Sequence, residues 1–191
     1  MTDPFALLDQ PRRPWLDPEE LTRVFHKKTL RSHPDAQAER GPAAEAAFAE
    51  LNEAYQVLRD PKRRLQHLLA SQQNGARRVQ TEIPAELEAL FPRIAVLTQR
   101  LDAAIQKNSA ATTALTRSLL KAESAAVVRE LDEMLIELRR LHGNALEQLR
   151  ESDRTWESEP ANELPRLQQL YLQFSYLDRW IADLEEKRFR M

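Results

Sequence analysis

The chain has 191 residues, enough for one good-sized domain or two small ones. Its 28 Lys and Arg against 30 Asp and Glu leave a formal net charge of −2, which argues against nucleic-acid binding through bulk positive charge. Cysteine is absent, which excludes disulfides, thiolate chemistry, zinc–thiolate modules and Cys-ligated iron–sulfur clusters, and only 3 glycines stand among abundant Leu, Ala, Glu, Arg and Gln, a mix that favours helices over sheets and Gly-rich phosphate loops.

The opening Met1-Thr2-Asp3-Pro4 has no basic n-region and no long apolar run after it, and acidic residues interrupt the arginines up to Leu21. No secretory or organelle-targeting segment is read there. No run approaches 18 apolar residues, so no membrane span is expected and the cytoplasm is the default compartment. Phe5, Leu7 and Leu8 form a short apolar patch ended by Pro11 and Pro14. Asp17 followed by Pro18, Glu19 and Glu20 is a helix N-terminus, and Leu21 and Phe25 set that helix's buried face. The helix stops before Pro34, because proline disfavours helix at the preceding residue. The next begins near Pro42, with Ala44, Phe48, Leu51, Tyr55 and Leu58 at helical spacing. Asp60-Pro61 marks a boundary before a short helix carrying Leu65, Leu68 and Leu69.

Ser71 to Thr81 is polar with one glycine and reads as a linker. The expected division is therefore a first domain over 1–72, a linker over 73–83 and a helical bundle over 84–191. In the bundle, Leu87, Leu90, Ile94, Leu97, Leu101 and Ile105 keep a 3-4 spacing, with a kink or a restart expected at Pro92. A second helix carries Val128, Leu131, Leu135, Leu138, Leu141, Ala145 and Leu149, weakened modestly by Gly143. Pro160 and Pro165 are expected to break the chain before a last helix carrying Leu167, Leu170, Phe174, Leu177, Ile181 and Leu184. Three amphipathic helices with short connections imply an antiparallel bundle, so the whole chain is expected to be all-α.

His33-Pro34-Asp35 falls between the second and third predicted helices. Pro34 fixes φ and stiffens the loop, so His33 and Asp35 project from a preorganised turn, and Asp35 is an acceptor suited to an arginine on a partner. The plainer reading is that Asp35 caps the next turn and His33 packs on the loop. Arg23, Lys27 and Arg31, at i, i+4 and i+8 on the preceding helix, form a basic stripe. A charge stripe is either a solvated face or a docking face, and the adjacent tripeptide favours docking.

The segments FHKKTLRSHPD at 25–35 and LNEAYQVLRDPKRR at 51–64 resemble the J-domain, the helical module by which co-chaperones act on a DnaK-type ATPase chaperone. The resemblance covers roughly the first 70 residues. It implies a helical hairpin with short flanking helices, and it implies that His33, Pro34, Asp35, Arg23, Lys27 and Arg31 meet the chaperone. Within the family the chain looks most like the HscB type, which serves iron–sulfur cluster assembly. The opening DPFALLDQPRRPWLDPEEL, the overall size and a helical bundle closing with FSYLDRWIADLEEK carry that likeness. Departures stand at Ser32, where J-domains commonly have tyrosine, at Lys28, commonly leucine, and at Ala36, often lysine. The stem of Lys28 is expected to cover apolar surface with its head in water.

In HscB-type proteins the bundle binds the iron–sulfur scaffold protein through an exposed apolar patch with nearby carboxylates. The resemblance places Leu90, Phe91, Ile94 and Tyr176 at that patch. Pro92 and Arg93 stand where the family usually has an apolar residue and a glutamate. Leu90 and Ile94 also satisfy the plainer reading of bundle core, whereas Phe91 and Tyr176 sit off the core stripes. Trp156 and Trp180 are either interface anchors or packing residues.

These observations imply a co-chaperone that is not itself an enzyme and needs no cofactor or resident metal. It would stimulate a DnaK-type chaperone and deliver a client, an iron–sulfur scaffold protein. Three alternatives stand beside it. One is a J-domain adaptor for a different client, which the mismatch at Pro92-Arg93 motivates. Another is a metal-dependent hydrolase using His26, His33, Asp35 and His67, although the four histidines form no i, i+3 or i+4 pair. The last is a non-catalytic helical scaffold.

Overall fold

A computed structural model describes residues 3–32, 42–72 and 82–191. Among the described residues the secondary structure is entirely helical, with eight α-helices and no strand, as the composition implied. They are α1 (Pro4–Leu7), α2 (Pro18–Ser32), α3 (Pro42–Arg59), α4 (Pro61–Gln72), α5 (Ala85–Glu88), α6 (Leu90–Ala110), α7 (Ala114–Trp156) and α8 (Pro160–Arg190). The chain divides into two compact units. The first joins the described residues of Met1–Gln80 to Gln148–Tyr171, and the second joins those of Thr81–Glu147 to Leu172–Met191. This is a different division from one that runs straight along the chain, because the ends of α7 and α8 that face each other across residues 157–159 group with the first unit.

In the first unit, local capping sets the helix starts. The Asp3 carboxylate accepts from the backbone N–H groups of Phe5 and Ala6. Asp17 Oδ1 accepts from Glu19 N at 2.8 Å and Glu20 N at 3.1 Å, and Asp60 Oδ1 from Arg63 N at 3.0 Å. Each cap satisfies donors that the first turn leaves orphaned. Phe25 of α2 stacks on Tyr55 of α3 with ring centroids 4.2 Å apart, and the Thr22 and Tyr55 hydroxyls lie 3.1 Å apart. Phe5, Leu8, Leu21, Leu51, Leu58, Leu65 and Leu68 are buried.

Lys28 corrects one expectation. Its head is not in water: Nζ donates to the Leu7 carbonyl at 2.7 Å and pairs with Asp9 at 2.7 Å. Asp9 has φ of 50°, a left-handed conformation that costs a non-glycine residue about 1 kcal/mol or more. The lysine therefore ties α2 to the turn that ends α1 and answers a carbonyl that the helix C-terminus leaves unpaired.

The strap between α1 and α2 is held by α7. Arg13 Nε donates to Asp153 Oδ1 at 2.9 Å, Arg13 Nη2 lies 2.7 Å from Asp153 Oδ2, and Trp15 N donates to Asp153 Oδ1 at 3.1 Å. Trp156 is buried, and its indole N–H donates to the Arg12 carbonyl at 3.0 Å, so it is a packing residue. Arg64, in the basic stretch after Asp60-Pro61, is also inside, only 3% exposed. It donates to the carbonyls of Pro14, at 2.8 Å, and Leu58, at 2.5 Å. Burial pushes its guanidinium down to about 10, opposed by the charges of Asp60 and Asp153.

The second unit is a helical bundle whose directions can be read from its cross-links. Arg93 and Arg100 of α6 pair with Glu137 and Glu130 of α7, so one numbering rises as the other falls. Arg139 pairs with Glu185 and Asp132 with Arg188, which makes α7 and α8 antiparallel too. Phe91 meets Trp180 and Asp102 meets Lys187, so α6 and α8 run the same way. The core holds Leu97, Leu101, Leu131, Leu135, Leu138, Leu177 and Leu184, with Val127 rather than Val128 as the buried valine.

Pro92 is accommodated by a restart. α5 ends at Glu88 and α6 begins at Leu90, so the proline falls in a first turn where its missing N–H has no helical partner to lose. Pro165 does not break the chain. It lies inside α8, which starts at Pro160 and continues through it. α7 is also longer than the predicted stretch, because no proline or strong breaker interrupts it between Ala114 and Trp156.

Candidate functional site

The tripeptide His33-Pro34-Asp35 lies outside the described residues. The helix that leads into it is described. On α2, Lys27 and Arg23 are both exposed. Arg31 lies on the same helix two turns beyond Arg23. Arg23 is not a free charge: it pairs with Glu20, three residues earlier, and this hydrogen bond raises the arginine above its ordinary range. An exposed i, i+3 pair is weak and can open to a competing carboxylate. Lys28, on the other side of the helix, is engaged with Leu7 and Asp9, so it adds no charge to the outward face.

The four residues assigned to the bundle patch separate into two pairs. Leu90 and Ile94 are 2% and 6% exposed and belong to the bundle core, one of the two readings the sequence left open for them. Phe91 is 37% exposed. Its ring meets Tyr176 edge-on at 5.2 Å and Trp180 edge-on at 4.9 Å, and the two α8 rings are 5.5 Å apart. Such edge-to-face contacts contribute about 0.5–1.5 kcal/mol each beyond area burial, so the three rings form a mutually packed aromatic platform. Trp180 completes it. The sequence held a signal for this, since Tyr176 and Trp180 are i, i+4 neighbours on one helix face.

Arg93, beside the platform in sequence, turns to α7. Its guanidinium donates to both Glu137 oxygens, at 2.9 and 2.7 Å. The fork raises Arg93 and lowers Glu137 relative to their ordinary ranges. His142 lies 3.3 Å from Asp178 and packs edge-on against Phe174. Among the described residues, no three His, Asp or Glu side chains gather as a metal site would require. Among them, too, no helix is long and apolar enough to cross a membrane.

Residues 3–67 match the family model of the DnaJ domain. Over 46 residues the chain is 50% identical to the chaperone protein DnaJ of Ruegeria sp. strain TM1040, a match spanning 24% of this chain and 12% of that one. It is 38% identical over 64 residues to the human DnaJ homolog subfamily B member 3, spanning 34% of this chain and 43% of the relative. The match thus spans less than half the length of each of these relatives. The N-terminal segment is a DnaJ domain, with α2, α3 and the capped start of α4 inside the matched range.

Whole-chain likeness is to HscB. The chaperone HscB from Vibrio cholerae aligns with a TM-score of 0.55 at 17% identity, covering 97% of this chain and 96% of that one. The human co-chaperone protein HscB aligns with a TM-score of 0.53 at 14% identity, covering 100% of this chain and 84% of that one. At these identities the likeness is one of fold: the chain has the HscB-type architecture, with a segment at 3–67 that matches the DnaJ domain.

Proposed function

We propose that the chain is a co-chaperone that docks on a DnaK-type ATPase chaperone through His33, Pro34 and Asp35 and the outward face of α2, with Arg23, Lys27 and Arg31. The observation that carries this reading is the DnaJ-domain match over 3–67, which includes the tripeptide and both flanking helices. On this reading the bond-breaking step belongs to the chaperone, and the chain is not itself an enzyme. Charge on α2, on this reading, sets encounter rate and orientation. The client is an iron–sulfur scaffold protein held on the second unit, in the cytoplasm. The HscB-type fold supports that choice, and the exposed Phe91 with Tyr176 and Trp180 is the surface suited to it.

Single-turnover ATP hydrolysis by a DnaK-type chaperone tests the first part. Acceleration by the chain that is lost in His33→Gln supports docking through the loop. Unchanged hydrolysis with both, circular dichroism showing folded protein, would refute it. Pull-down of an iron–sulfur scaffold protein by the chain, weakened in Tyr176→Ala, tests the second part.

A further inference from the structure

The outward face of α2 carries an ion pair of its own. Arg23 Nε donates to Glu20 Oε2 at 3.0 Å, and Arg23 Nη2 bonds to the same oxygen. Both side chains stand in water, Arg23 76% and Glu20 43% exposed. The Glu20 carboxylate is not what starts the helix. Asp17 Oδ1 already accepts from the Glu19 and Glu20 N–H groups, and Glu19 adds another carboxylate to the first turn. Lys28 faces the other way, toward Leu7 and Asp9. Lys27, one turn beyond Arg23, is exposed and has no ion-pair partner among the described residues. Of these two outward cations, Lys27 is open and Arg23 is answered from within its own helix.

We propose that Glu20 is a built-in brake on docking: it holds the guanidinium that an acidic surface of the chaperone would take, and docking exchanges Glu20 for a carboxylate of the partner. This rests on the docking role of α2 given under the proposed function. The geometry favours the exchange. Glu20 offers Arg23 a single oxygen from three residues away on the same helix. A carboxylate arriving from outside can meet the guanidinium with both oxygens in parallel. The exposed i, i+3 pair is also weak, so the brake lowers affinity without abolishing docking. It acts as a discriminator too, because a surface with too little negative charge to displace Glu20 meets one cation fewer.

The test is single-turnover ATP hydrolysis by a DnaK-type chaperone, titrated with the full chain to find the concentration of half-maximal acceleration. Glu20→Gln is expected to lower that concentration about two- to fivefold at low salt, with the gain shrinking as salt rises. A gain cannot come from misfolded chains. The same substitution is then made in an Arg23→Gln background. Mere removal of a negative charge would give an equal gain there, whereas release of Arg23 predicts that the gain disappears. A half-maximal concentration that is unchanged or raised in Glu20→Gln overturns the proposal, and so does an equal gain in both backgrounds. Acceleration that is lost in His33→Gln yet indifferent to Glu20→Gln overturns the brake alone and leaves docking standing. Hydrolysis that wild-type chain does not accelerate overturns the docking role and the brake with it.

Discussion

Removing the Asp153 carboxylate should loosen the strap between α1 and α2. The carboxylate is inside, 8% exposed, and serves three donors: Arg13 through Nε and Nη2, and the Trp15 backbone N–H. In Asp153→Ala the Trp15 N–H loses its acceptor, which costs about 1–3 kcal/mol if water does not replace it. Two charge-assisted contacts to Arg13 also go, nominally about 1.5–3 kcal/mol each. Arg13 recovers part of this, because it is 30% exposed and keeps Glu157 at 3.1 Å. The net expectation is about 2–4 kcal/mol, near the lower end of what breaking a buried ion pair costs. Asp153→Asn keeps an acceptor for Trp15 and should cost about half as much. Urea unfolding followed by tryptophan fluorescence and circular dichroism reads both, and a cycle with Arg13→Met isolates the coupling. An Asp153→Ala loss below about 0.5 kcal/mol, or strict additivity with Arg13→Met, would refute the assignment of Asp153 as the strap's anchor.

Two further predictions concern charges whose roles are local. Lys28→Leu restores the residue more usual in J-domains, yet it should lower stability by about 1 kcal/mol, because the Leu7 carbonyl loses its donor and Asp9 its partner; a raised thermal midpoint would sink this. Glu137 is lowered by Arg93, so the folded state holds its carboxylate charged. Its contribution is full above the ordinary glutamate value of about 4.3 and is lost as pH falls through the lower, folded value. With Arg93 53% exposed, the size is about 0–1 kcal/mol. The midpoint difference between wild type and Glu137→Gln should therefore be present at pH 6 and shrink below about pH 4, and a difference constant with pH would contradict it.

The parts of the fold that were legible in the sequence are those set by neighbours in the chain. Asp17 before Pro18-Glu19-Glu20 and Asp60 before Pro61 act as caps because the donors they answer are two and three residues away. The 3-4 spacing from Leu87 to Ile105 shows the core face directly, and it also explains why Leu90 and Ile94 lie in the core and not on a surface. Pro165 was misleading because an isolated proline usually ends a helix, yet α8 absorbs it one turn past its start. Arg64, Lys28 and Asp153 were illegible for another reason. Arg64 and Asp153 read as ordinary surface charges and Lys28 as a stem over apolar surface with its head in water, and their partners lie elsewhere in the chain: Pro14 for Arg64, Leu7 and Asp9 for Lys28, Arg13 and Trp15 for Asp153. Nothing in local spacing distinguishes a buried arginine in a run of three basic residues from its exposed neighbours.

The departure at Pro92-Arg93 takes on a different meaning in the folded chain. As sequence, it removes a carboxylate from the position where HscB-type proteins usually have one and reverses the charge. In the structure, the restart before Pro92 places Phe91 in the first turn of α6, where it packs on Tyr176 and Trp180 of α8. Arg93 engages both oxygens of Glu137 on α7. A guanidinium closed in a bidentate fork presents little net field to a third group. The charge reversal is therefore muted beside the aromatic platform. On the proposed function, client recognition there rests on aromatic and apolar contact, which Phe91, Tyr176 and Trp180 supply without a carboxylate at position 93.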